Sequence, residues 1–208
     1  MKELLWVLLT AWVARAQDPA AVAEEVLANE DLSYTTGWTA PCGQRTWDQL
    51  LAAPLLMGKL WAVYGYAPAY RTSALGDTLL VADPTGLEGK GGKVRQGEGE
   101  LVYLIYGKLD HWAVPFFNRG LAVIALKSQA QGGQMDCQVE VHIRAESSLS
   151  SLVLQAGRSL VMEHVQNRVT LNLADAANIF ADVQNAPEAV RAKLSGEELQ
   201  WFESTLSR

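Results

Sequence analysis

Cysteine and histidine are scarce in this chain. There are two cysteines, Cys42 and Cys137, and three histidines, His111, His142 and His164. Two cysteines without neighbouring histidines do not make a zinc site, and three dispersed histidines do not make another metal centre. Three common signatures are missing: a Gly-x-Ser-x-Gly nucleophile elbow, a phosphate-binding glycine loop and a dinucleotide fingerprint. No cofactor is expected. Lys and Arg form no cluster and the net charge is −6, which excludes a typical nucleic-acid binder. The charge serves solubility instead. There is no internal repeat, and beyond the first residues there is no apolar run of membrane-spanning length.

The apolar run at the start is short. Leu4 to Val13 is broken only by Thr10, follows Met1-Lys2, and precedes Ala14-Arg15-Ala16. A charged start, an apolar centre and a small-x-small site are the layout of a secretory signal peptide. About ten apolar residues are too few to cross a hydrocarbon core, which needs roughly 20. Residues 1–16 are therefore expected to be a cleavable signal, and 17–208 one α+β domain that is exported, periplasmic or extracellular, with no transmembrane anchor. In an oxidising compartment Cys42 and Cys137 are a candidate disulfide. It would close a loop of roughly 95 residues, worth about 4–5 kcal/mol in the chain-entropy description.

Half the chain, 49%, is hydrophobic, which suits a folded core. Asp18 and Pro19 read as the N-cap and first residue of a helix. Residues 30–45 collect Thr, Gly, Pro and Cys and read as a loop. A second helical region begins at Thr46, where Gln49 completes a capping box; Pro54 is expected to interrupt it or to start a new helix, and the apolar face continues to Gly65. From about residue 70 the pattern becomes β. Thr78 to Ala82 is a short strand, and Asp83-Pro84-Thr85-Gly86 a turn. Gly89 to Gly99, with five glycines, reads as a mobile tip or loop. Leu101 to Tyr106 and Leu121 to Leu126 are apolar on both faces. In Cys137 to Arg144 the residues Val139, Val141 and Ile143 alternate with Gln138, Glu140, His142 and Arg144. Gln131-Gly132-Gly133-Gln134 is a hairpin turn. After Glu146 the helical period returns, with an apolar stripe of Leu149, Leu152, Val153, Ala156 and Leu160 and a weak point at Gly157. A helix around Leu173 to Gln184 ends before Pro187, and a last short one starts at Ser195. The order predicts a curved antiparallel β-sheet packed against long C-terminal helices.

Asp110-His111-Trp112 holds the one catalytic candidate, His111 as acid or base, although no nucleophile motif accompanies it. His142, with Glu140 and Arg144, sits on the polar face of a strand, where cross-strand pairing is the ordinary role. The aromatic supply of Trp61, Tyr64, Tyr66, Tyr70, Tyr103, Tyr106, Trp112, Phe116 and Phe117 suits either a core or a pocket for an amphipathic ligand. The doubly apolar strands need a cover, a partner or a ligand on their second face.

The element order of Leu55-to-Tyr70, Leu101-to-Leu126, Cys137-to-Arg144 and Leu149-to-Val165 resembles the START-like, helix-grip superfamily of lipid-transfer and polyketide-cyclase-type proteins. That resemblance implies a curved sheet gripping a long helix around an apolar cavity, and most often a role in binding hydrophobic small molecules. The extra helical residues after 168 depart from the usual pattern. The reading that follows is an exported carrier of a hydrophobic or amphipathic small molecule such as a lipid. Tyr64, Tyr66, Tyr103, Tyr106 and Trp112 are expected to line its site, and His111 or Arg144 to orient a polar head. The alternatives are an enzyme on the same fold (cyclase, isomerase or hydrolase) using His111, and an interaction domain of the cell envelope.

Overall fold

A computed structural model describes residues 18–76, 78–82, 84, 86–109 and 119–207. The expected signal segment 1–16 and the residues His111, Trp112, Phe116 and Phe117 lie outside the described residues. Helix α1 (Pro19–Ala28) leads into strand β1 (Leu32–Ala40), then helices α2 (Gln44–Leu51) and α3 (Pro54–Val63). Strands β2 (Arg71–Leu75), β3 (Thr78–Ala82), β4 (Leu87–Gly97), β5 (Glu100–Leu109), β6 (Arg119–Gln131) and β7 (Gln134–Ala145) follow. The chain ends in α4 (Ser148–Ala156), α5 (Arg158–Asn185), α6 (Pro187–Arg191) and α7 (Gly196–Leu206). The strands form one antiparallel sheet in the order β1-β7-β6-β5-β4-β3-β2. This is an α+β helix-grip fold: a curved sheet whose inner side holds the long helix α5.

Strand alternation decides what each side of the sheet buries. On the inner side Met135, Cys137, Val139 and Val141 of β7 join Trp47, Leu50, Leu60, Ile179, Phe180 and Val183 in the main core. The ring of Trp38 lies 5.5 Å from that of Trp47 and 5.8 Å from that of Phe180, so one end of the grip is filled with aromatic side chains. There Gln184 of α5 accepts hydrogen bonds from the Thr46 hydroxyl at 2.7 Å and from the Gly43 amide at 3.2 Å. Thr46 is thus spent on a tertiary contact, and Gly43, not Thr46, caps α2.

The outer side has its own small core. Val22, Ala23 and Val26 of α1 pack on Val102, Leu104, Val123 and Ala125. The Asp18 side chain caps α1, accepting from the Ala20 amide at 3.1 Å. The second apolar face of the doubly apolar strands is therefore covered from within the chain, by the helix that precedes the sheet.

Three local expectations are corrected. Residues 32–40 are not loop but the edge strand β1, paired with β7 from Leu32↔Ile143 to Ala40↔Met135. The partner lies about a hundred residues away, and a window dominated by Thr and Gly does not reveal it. The glycine-rich segment is also a strand, β4. A Cβ at Gly91 would stand 2.2 Å from the Leu104 carbonyl oxygen, so the close approach of β5 requires glycine there. Finally, Gly157 separates α4 from α5, and the stripe spanning them has no common partner. Leu149, Leu152 and Leu160 are 67%, 65% and 55% exposed, while Leu154 is buried against Leu32 and Ala145.

Burial on the outer side predicts a contrast between two leucines. Leu104→Ala is expected to destabilise the fold by about 2–5 kcal/mol, the usual range for a fully buried leucine. Leu149→Ala is expected to fall within about 0.5 kcal/mol of wild type. Chemical denaturation of both variants checks this, and equal effects would contradict the placement of α1.

Candidate functional site

The long helix touches the sheet unevenly. Among the described residues its close backbone approach to a strand is at β1, with further contacts to α2, α3, α4 and α6. The opposite edge of the sheet reaches it through tyrosines. The Tyr64 hydroxyl donates to Asp182 Oδ2 at 2.8 Å. Tyr66 lies near Asn178 and Asp175 of the same helix. Tyr70, next to β2, accepts from Asn172 Nδ2 at 2.9 Å and from Arg168 Nη1 at 3.4 Å. Residues 168, 172, 178 and 182 recur at three- and four-residue multiples and form one stripe along α5.

Between these two attachments, among the described residues, the backbones of β3, β4, β5 and β6 stay further from α5 than that of β1. The pairing register aligns Ala74, Leu79, Gly91, Ile105, Ala122 and Ile143 in one row. A second row holds Thr72, Val81, Gly89, Gly107, Gly120 and Ala145. Leu79, Val81, Ile105 and Ala122 are only half-buried although they face inward. Four glycines and three alanines keep the floor low. The result is a low, apolar stretch of the sheet's inner face, a trough, with the partly buried Val165 and Val169 of α5 packed on the main core.

The expected site residues divide between the two sides of the sheet. Tyr103 is on the inner side. Its phenol, pushed up to about 12 by burial, lies 3.4 Å from the Leu51 carbonyl oxygen, to which it donates. Tyr64 and Tyr66 border the core, and burial raises both phenols. The Tyr64 hydroxyl holds α5, so its evident work is to fasten the helix. Tyr106 is on the outer side, 43% exposed, with the Lys90 ammonium 6.0 Å from its ring centre. Arg144 is also outside, its Nη1 2.7 Å from Glu25 Oε1 of α1. Strand alternation puts Arg144 and Tyr106 across the sheet from Tyr103, so they cannot share a site with it. Cys42 and Cys137 are buried thiols with no bond between them, and burial pushes their pKa values up to about 12 and about 11.

Sequence reasoning missed Arg168, Asn172 and the glycine floor. Arg168 stands between Val165 and Val169, a charge set into an apolar helical face, and that pattern was a readable signal. A shallow recess of about 740 Å³ also opens on the outer side near Thr39, Lys127, Gln129, Asp136 and Gln138. Its polar groups are engaged with one another, as in Thr39 to Asp136 at 2.9 Å and Lys127 to Glu140 at 2.7 Å.

No family model matches the sequence, and no curated protein matches it. Solved structures do. A conserved protein from Geobacillus kaustophilus superposes with a TM-score of 0.55 at 8% identity, over 74% of this chain and 98% of that one. Ara h 8.0201 gives 0.49 at 11% identity, over 72% and 97%. Norcoclaurine synthase from Thalictrum flavum gives 0.49 at 7% identity, over 71% and 85%. The first likeness establishes the shared fold. No described helix is long and apolar enough to cross a membrane.

The outer face carries the acid sensitivity. Burial alone would raise the Glu30 carboxyl, but hydrogen bonds from Ser33 and His142 and the charges of His142 and Arg158 hold it below 4.5. The Lys127 hydrogen bond does the same for Glu140, against burial and with further help from the Lys127 charge and from His142. Depressed carboxyls bind fewer protons folded than unfolded. Their stabilisation is therefore complete above the unfolded value of 4.5 and is lost as pH falls through the lower folded values. Denaturation midpoints are expected to drop below pH 4.5, and less steeply in Glu30→Gln. Identical acid slopes in the two proteins would contradict the pairing.

Proposed function

We propose that this protein binds and carries a hydrophobic or amphipathic small molecule in the trough between α5 and the inner faces of β3 to β6. One observation carries the reading. Leu79, Val81, Ile105 and Ala122 face inward yet stay partly exposed, and the long helix is held at the sheet's two edges. Apolar surface left open inside a fold costs roughly 25 cal/mol per Å² relative to burial, and a ligand recovers that free energy. Small residues in these rows keep the floor low. The signal-like residues 1–16 support export of the carrier, to a periplasmic or extracellular location. A partner for the outer apolar face is not required, because α1 already occupies it.

N-Phenyl-1-naphthylamine, a neutral probe that fluoresces when buried, tests this. Wild type is expected to bind it saturably. Ala122→Phe, which fills the floor, is expected to weaken binding by about tenfold or more, the scale of one lost apolar contact in a pocket. Leu75→Ala, at a residue 72% exposed on the edge strand, serves as the unaffected control. Organic extraction of protein purified from its native source, followed by mass spectrometry, reads the natural ligand. A wild type that ignores the probe and yields no extractable molecule overturns the reading.

A further inference from the structure

Among the described residues, three side-chain nitrogens are buried without a hydrogen-bond partner: Nε1 of Trp38, Nε1 of Trp61 and Nε2 of His142. His142 is on the outer side, where that nitrogen lies 3.6 Å from Glu140 Oε2. Trp38 is enclosed in the aromatic plug with Trp47 and Phe180. Trp61 is the one that stands at an end of the trough. We infer that Trp61 orients the ligand: its indole N–H donates to a carbonyl oxygen of a neutral, otherwise apolar molecule whose body lies along Val81, Gly89, Gly107 and Gly120. The inference rests on the carrier reading above and deepens it by naming the ligand class.

The placement follows from how α3 meets β2. A Cβ at Gly58 would stand 2.4 Å from Thr72 Cγ2, so glycine sets how closely the helix approaches the strand. Thr72 begins the row that continues through Val81, Gly89, Gly107 and Gly120. Trp61 is one turn beyond Gly58 on the same side of α3. Its ring meets that of Tyr70 edge-on, at 5.6 Å between centres, and Asn172 Nδ2 of α5 donates to the Tyr70 hydroxyl at 2.9 Å. Trp61 therefore stands where α3, β2 and α5 come together, at the β2 end of the row.

The chemistry follows from the indole. Trp61 is 7% exposed, and its N–H can only donate. A buried donor without an acceptor is costly, and native structures rarely keep one without use. A lone water is a poor occupant, because a buried water needs about two to four polar partners. The hydroxyl of the adjoining Tyr70 is already filled, accepting from Asn172 Nδ2 and donating to Asn172 Oδ1 at 3.2 Å. The row itself holds no charged side chain, so an ionised head would find no counter-charge on the floor. A neutral carbonyl oxygen completes the donor without that cost.

Gly107, in the middle of the row, is independent support for a ligand lying there. Its φ is not positive, and a Cβ would meet only the Glu88 and Gly120 carbonyl oxygens, each 4.0 Å away. Neither backbone strain nor crowding calls for glycine at this position, and glycine is a weak strand former. Bare backbone within a strand is what lets another molecule approach closely.

Nuclear magnetic resonance of the indole N–H groups reads the bond directly. Isotope-labelled protein would be titrated with 2-undecanone and, separately, with undecane, the same chain without the oxygen. The Trp61 signal is the one that Trp61→Phe removes. The ketone is expected to move the Trp61 indole proton downfield, the hydrocarbon to leave it in place, and the Trp38 signal to stay unmoved in both. In competition against N-phenyl-1-naphthylamine, wild type is expected to prefer the ketone by about tenfold, the scale of one buried donor satisfied. Trp61→Phe, which keeps an aromatic ring and loses the N–H, is expected to remove that preference and leave undecane within about threefold of wild type. If that variant folds poorly, the wild-type preference and the response of the wild-type indole signals decide alone. A wild type that displaces the probe equally well with both competitors, or whose indole signals all stay in place at saturating ketone, overturns the role of Trp61 and leaves the carrier reading intact. A wild type that binds neither the probe nor either competitor removes the carrier reading and this inference together.

Discussion

The attachment of α5 at the two edges of the curved sheet is the constraint on which the rest depends. At one edge the helix packs on β1. At the other, the hydroxyls of Tyr64 and Tyr70 reach Asp182 and Asn172. A helix held only by apolar contacts would settle into the trough and close it. Fixed-length hydrogen bonds at the rim hold it off. The aromatic plug of Trp38, Trp47 and Phe180 closes one end of the grip and supplies the packing that anchors the C-terminal half of the helix. Stability is thus concentrated at one end, and the apolar surface left over lies at the other.

The outer face follows a different logic. There α1 buries its apolar side directly, and charges around it complete the contact. Glu24 pairs with Arg95, Glu25 with Arg144, and Glu30 with His142. Exposed pairs of this kind contribute little singly, about 0–1 kcal/mol each, so the apolar contact of Val22, Ala23 and Val26 carries the helix and the pairs fix its orientation. With both faces of the central strands accounted for, the unfilled surface is confined to the inner rows.

Much of the architecture was legible in the sequence, and the reasons are local. Asp18-Pro19, Gly65, the Gly132-Gly133 turn and the alternation through Cys137 to Arg144 each express a short-range rule that the fold obeys. The alternation even separated the inner valines from the outer charged row correctly. Strand β1 was not legible, because its hydrogen bonds come from β7 far along the chain. Strand β4 was hidden because glycine, a weak strand former, is there for the closeness of β5. The site was harder still. Tyr103 and Tyr106 are three residues apart in one strand and lie on opposite faces, yet composition treats them alike. Arg144 looked like a cavity cation and pairs with α1 instead, while Arg168 went unremarked within a helix. A lining residue is defined by which of two covers, α1 or α5, lies over it, and neither cover is visible from the strand's own residues.

The claim that the inner trough is the binding surface is tested most directly by methyl nuclear magnetic resonance. Protein labelled at Ile, Leu and Val methyl groups would be titrated with an apolar ligand. The account predicts shifts at Leu79, Val81, Ile105 and Val165, with Val26, Leu104 and Val123 unmoved. Shifts confined to the methyls under α1, or to the exposed leucines of α4, would contradict it.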